Sequence, residues 1–215
     1  LSWHPRITRP TPIDPGRTVF RIDLRHYKWN AALWERLVSA YPYRLQSSTP
    51  EARALASATG SELAYLRGDW FAATASRPPL YQDLLQLPST ERGLERLLQV
   101  DVPGDIKEET AVRAGFNDSG VSQNNRLIEL HDSTYGAYWR SYDFSDNTGR
   151  QNLFEFPLGP SPGPAGFKHA GGEVIFHLPN GLQAYLLVDS DGRRIAQAPG
   201  DVVSDPSPPD RLGEN

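Results

Sequence analysis

The chain has 215 residues, a formal net charge of −4, and neither cysteine nor methionine. The missing cysteine excludes disulfide scaffolds, cysteine–zinc and iron–sulfur sites, thiol catalysis and covalent haem attachment within these residues. The slight excess of 26 acidic over 22 basic residues argues against a general nucleic-acid binder, and no apolar run reaches transmembrane length. Such a length suits one domain, or two small ones, with a sizeable hydrophobic core. The 18 glycines and 19 prolines exceed the roughly 12% that these two residues usually share, which points to a folded but loop-rich chain. The start Leu1-Ser2-Trp3-His4 carries no signal-peptide pattern and reads as a processed chain or an excised segment.

Residues 1–17 contain Pro5, Pro10, Pro12 and Pro15 and read as an extended arm, because proline fixes φ and cannot donate to a ladder. Thr18 to Leu24 alternates, with Phe20, Ile22 and Leu24 on the expected core face of a half-buried strand. Asn30 is a good N-cap for a helix carrying Leu33, Trp34, Leu37, Val38 and Tyr41, stopped by Pro42. A second helical region is predicted over Pro50 to Thr74, with Leu63, Leu66, Trp70 and Ala73 in one stripe. Leu80 to Leu87 reads as a short helix. Ser89 is placed to cap the next, with Leu94, Leu97 and Leu98 inward.

The pattern changes after Val102-Pro103-Gly104. Ala114 to Asn125 is polar and turn-rich, and strand-like runs follow at Arg126 to His131 and Tyr135 to Phe144. Pro157 to Gly166 is a long loop. Glu173 to Leu178, Leu182 to Val188 and Arg193 to Ala196 read as a three-stranded meander joined at Asn180-Gly181 and Asp191-Gly192. Two-residue turns there would set His177 opposite Ala184, Ile175 opposite Leu186 and Val188 opposite Ile195. The resulting prediction is an α+β fold: an N-terminal strand, a helical middle third and a C-terminal antiparallel sheet. One domain spans 18–204, and 205–215 is a polar tail or linker.

Candidate chemistry is sparse. His131, Glu173 and His177, with Glu129 nearby, could present imidazole and carboxylate from neighbouring strands to a metal, although a core histidine explains His177 as well. Asp189-Ser190-Asp191-Gly192 opens like a calcium loop, but Gly200 stands where its glutamate belongs. No Gly-x-Ser-x-Gly elbow is present, and adjacent Glu108 and Glu109 do not share a helix face. In the aromatic strand, Tyr135, Trp139 and Asp143 alternate with Tyr138, Arg140, Tyr142 and Phe144. Tyr135, Trp139, Arg140 and Asp143 are therefore candidates for gripping a sugar or a partner surface.

Three segments are distinctive: Arg67-Gly68-Asp69-Trp70-Phe71-Ala72-Ala73-Thr74-Ala75-Ser76-Arg77-Pro78-Pro79, Gly136-Ala137-Tyr138-Trp139-Arg140-Ser141-Tyr142-Asp143-Phe144, and Gly172-Glu173-Val174-Ile175-Phe176-His177-Leu178-Pro179-Asn180-Gly181-Leu182-Gln183-Ala184-Tyr185. With Asn124-Asn125-Arg126-Leu127-Ile128-Glu129, they make the chain resemble a region of large exported bacterial proteins that carry c-type haem motifs. In those proteins the region precedes a Cys-x-x-Cys-His segment, and no catalytic residue comes with the resemblance. It implies a periplasmic or cell-surface setting, with haem c attached downstream and no covalent cofactor in this chain. The expected function is a haem-free binding or docking domain for the cytochrome-c module or another redox partner. A metal-dependent oxidoreductase or hydrolase using His131, Glu173 and His177 is one alternative, and a carbohydrate-binding module is another. Neither a nucleic-acid partner nor a membrane span is expected.

Overall fold

A computed structural model describes residue 3 and residues 9–43, 48–60, 66–119, 122–160 and 163–198. The predicted tail, 205–215, lies outside the described residues. The chain is α+β and divides into two compact units, Leu1–Leu87 and Pro88–Asn215, where the sequence reading drew one domain over 18–204. No helix among the described residues is long and apolar enough to cross a membrane.

In the first unit, strands β1 (Thr11–Pro12) and β2 (Phe20–Arg21) form an antiparallel hairpin. Asp14 closes its loop by accepting hydrogen bonds from the backbone N–H of Thr18 (2.8 Å) and of Val19 (2.7 Å). A 3-10 turn over Leu24–Tyr27 leads to helix α1 (Ala31–Ala40), where the Asn30 side chain caps the Leu33 N–H at 3.0 Å, as predicted. Helices α2 (Pro50–Thr59), α3 (Gly68–Ala75) and α4 (Leu80–Leu84) complete the unit. Its core packs Trp29, Leu37, Ala75, Leu80 and Leu84 under Trp34, Trp70 and Phe71. Two expectations change here. Ala73 faces outward and Ala75 inward, and Leu63 lies outside the described residues. The supposed core face of the first strand is open, with Phe20 51% and Ile22 49% exposed, because only Phe20–Arg21 pairs and no sheet backs it.

The second unit begins with helix α5 (Glu91–Leu98), capped by Thr90, not by Ser89. Leu94 and Leu98 are buried, but Leu97 is exposed, one position off the inward stripe. Helix α6 (Val102–Lys107) was not foreseen: Asp101 caps it by accepting from the Gly104 N–H, and Pro103 is tolerated in the first turn, where its missing N–H costs nothing. Six antiparallel strands then follow in sequential order: β3 (Val112–Phe116), β4 (Arg126–Ser133), β5 (Gly136–Asp143), β6 (Gly171–His177), β7 (Gln183–Asp189) and β8 (Arg194–Ile195). The β5–β6 loop tucks Phe144, Leu153 and Phe167 against Leu127 and Tyr142.

The predicted meander is present with its register moved by one residue. His177 pairs with Gln183 and Ile175 with Tyr185, while Val188 pairs with Arg194. Each loop holds three residues, Pro179-Asn180-Gly181 and Ser190-Asp191-Gly192, with the glycine at φ +80° or +72°. A turn followed by a left-handed glycine makes a three-residue hairpin loop, which the same Asn-Gly and Asp-Gly pairs also suit. That single step carries His177 off the face of Ala184 and Leu186.

Candidate functional site

The sheet of the second unit has two chemically distinct faces. The covered face carries a row of alternating charge, Arg113 on β3, Glu129 on β4 and Arg140 on β5, in direct register. Glu129 and Arg140 are fully buried. Arg113 Nε lies 2.8 Å from Glu129 Oε1, and Tyr142 donates its hydroxyl to Glu129 Oε2 at 3.0 Å. Arg140 is held by Glu91 of α5 and stacks over the Tyr142 ring at 4.3 Å. His131, next along β4 on the same face, meets Glu129 at 3.3 Å and Asp105 of α6 at 2.8 Å. Burial pulls this imidazole down, but the hydrogen bonds it makes to Glu129 and Asp105 outweigh it and hold His131 above its ordinary value. Burial likewise pushes up Tyr138 and Tyr142, and Glu95 beside Glu91.

Buried charges persist only when paired, and Gly172 makes this pairing sterically feasible. A Cβ there would collide with the Ser141 carbonyl oxygen and the Arg140 guanidinium. Glu129, His131 and Arg140 are sealed from solvent, so no substrate reaches them in this conformation. The network ties α5 and α6 to the middle of the sheet.

The opposite face is open in character. Val112, Leu130, Trp139, Ile175 and Tyr185 stand in one cross-strand row from β3 to β7. Val112 is 63% and Trp139 40% exposed, and the other three are half-buried. The contacts of α5 and α6 just described are all made on the other face. The next row runs Ala114, Ile128, Ser141, Glu173, Leu187 and Ile195, so apolar groups continue on both sides of a polar centre. Glu173 donates its backbone N–H to the Ser141 hydroxyl at 2.9 Å, and burial raises its carboxyl. Asp143 is bound by Arg126 at 2.7 Å.

The sequence candidates thus separate. Trp139 and Asp143 share one face, as their alternation predicts, but Asp143 is buried and occupied by Arg126. Arg140 belongs to the covered face, and Tyr135 sits in the turn between β4 and β5. The proposed metal set is split across the sheet: His131 is on the covered face, Glu173 and His177 on the open one, where His177 Nδ1 accepts from the Ala137 N–H at 3.1 Å. Among the described residues no three His, Asp or Glu side chains converge as metal ligands. The Asp189-Ser190-Asp191-Gly192 segment is a turn in which Asp189 caps the N–H groups of Asp191 and Arg193.

Sequence reasoning missed Arg113, Glu91 and Asp105. Their partners lie on other elements, far along the chain, and Arg113 belongs to a strand hidden beside turn-forming residues. An arginine between two core-facing tyrosines on β5 was the available signal. No family model, curated protein or solved structure matches this chain.

Proposed function

We propose that this chain is a haem-free recognition domain of an exported redox protein. It holds a partner against the open face of its six-stranded sheet, while electrons pass through a haem-c module outside these residues. The observation that carries this reading is the row Val112, Leu130, Trp139, Ile175 and Tyr185, five apolar side chains on adjacent strands around an exposed indole. A contiguous apolar patch with an aromatic at its centre is the usual composition of an interface core. The export setting and the haem module rest on the sequence resemblance.

The test uses the haem-c module encoded by the same gene, immobilised, with this chain in solution. Trp139→Asp should weaken binding by at least about tenfold, because tryptophan is typical of the residues that dominate interface energy. Arg92→Glu on α5 serves as a control on an exposed helix surface and should bind like the wild type. The reading fails if Trp139→Asp binds normally or if the gene encodes no Cys-x-x-Cys-His segment.

A second reading, carbohydrate binding, is favoured by the same exposed Trp139 with His177 and Gln183 one row away. Indole faces stack on sugar rings while neighbouring polar groups fix hydroxyls. Retention on a glycan array that disappears in Trp139→Ala would select this reading over a protein partner.

A further inference from the structure

We propose that the first unit carries a binding site for an organic anion with an apolar body, such as a long-chain carboxylate or an aromatic sulfonate. A cleft of about 1120 Å³ opens between the β1–β2 hairpin, the 3-10 turn and helices α1 and α2. This is ample for a small organic ligand, whose sites usually span roughly 300–1,000 Å³.

The charge on its walls selects the sign of the ligand. Asp23 and Arg25 satisfy each other in a forked pair, with Nε to Oδ1 at 2.9 Å and Nη2 to Oδ2 at 2.6 Å. Arg9 and Arg21 also line the cleft, and neither has an ion pair among the described residues. Among the described residues, Glu35 is the one acidic lining residue besides Asp23. Two free guanidiniums against one free carboxylate favour an anion, and guanidinium forks match carboxylate and sulfonate oxygens in particular.

The rest of the wall selects the body of the ligand. Ile22 and Leu24 line the cleft with exposed apolar side chains, and the half-buried Trp34 lines it too. The alternation of Thr18 to Leu24 reads as a strand built for burial, yet its Ile22 and Leu24 stand in the cleft wall. An inorganic anion would leave this apolar surface wet, and a neutral apolar ligand would leave Arg9 and Arg21 unanswered. A ligand with both features satisfies both walls.

The experiment titrates the whole chain with 8-anilinonaphthalene-1-sulfonate and reads its fluorescence. The expected result is a single saturable site, displaced by dodecanoate below its micelle-forming concentration but not by equal dodecanol or by sulfate. Arg9→Glu combined with Arg21→Glu should weaken binding by about tenfold or more, since two charge-assisted contacts become repulsive. Both residues are exposed, so the thermal transition should not move. Arg92→Glu, which changes charge on the other unit, should bind like the wild type. The proposal is overturned if the double variant binds as tightly as the wild type, if dodecanol displaces the probe as well as dodecanoate, or if no saturable site is found.

Discussion

At the scale of single residues, Glu129 is the hub of the covered face. It accepts from Tyr142 and faces Arg113 and His131; Glu129 and His131 are sealed from solvent, and Arg113 is partly exposed. Removing one member of a buried charge cluster strands the others and typically costs about 3–5 kcal/mol. Glu129→Leu is therefore expected to lower stability by about that amount in urea denaturation, and a loss below about 1 kcal/mol would show that the network is not a structural tie. His169 gives a pH-dependent prediction. Its ring contacts Tyr142 and Phe167, and burial, followed by the charge of Arg140, pushes it down to about 4. The unfolded imidazole takes up its proton near pH 6.5, but the folded one does so only near pH 4, so stability falls as the pH drops through that window. At about 1.4 kcal/mol per pH unit the effect is at most about 3 kcal/mol. His169→Gln should lose correspondingly less stability than the wild type between pH 7 and pH 4. Burial raises Asp143 and Glu173, which titrate in the opposite sense, and their contribution cancels in that difference. Chain alternation made the opposed faces of Trp139 and Arg140 legible in the sequence. Which face was wet was not legible, because Glu91 and Asp105 reach the sheet from separate helices.

At the scale of elements, α1 and strands β4 to β8 were readable because each has strong periodicity and clear punctuation by Asn, Gly or Pro. Strand β3 and helix α6 were hidden. Gly115 and neighbouring turn residues mask the strand, and Pro103 looks like a breaker, although it lies in a first turn. Register depended on whether each hairpin loop held two residues or three, which Asn-Gly and Asp-Gly alone do not decide. In the three-residue loop Gly181 occupies the left-handed region at φ +80°, where a side chain costs about 1–2 kcal/mol. Gly181→Ala should lower the unfolding free energy by that amount in urea denaturation without altering the far-ultraviolet circular dichroism. Gly172→Ala should be worse, since its Cβ meets backbone oxygen and a buried guanidinium that cannot move freely. Overpacking of this kind costs about 1–3 kcal/mol, and a neutral result would mean that β5 and β6 can separate locally.

At the scale of the molecule, the two faces of the sheet in the second unit differ in chemistry. Ionisable side chains at the centre of the covered face are spent on holding helices to strands. The open face carries the apolar row that the proposed function assigns to a partner. A Trp139→Asp chain should accordingly fold with a stability within about 1 kcal/mol of the wild type, as surface substitutions usually do. The most direct test of the proposed function is to titrate the isotope-labelled chain with the haem-c module that the proposal places in the same gene and follow every backbone amide by nuclear magnetic resonance. The account predicts shifts and line broadening concentrated at Val112, Leu130, Trp139, Ile175 and Tyr185, together with the Trp139 indole N–H. Changes confined to other surfaces, or none at saturating module, would contradict it.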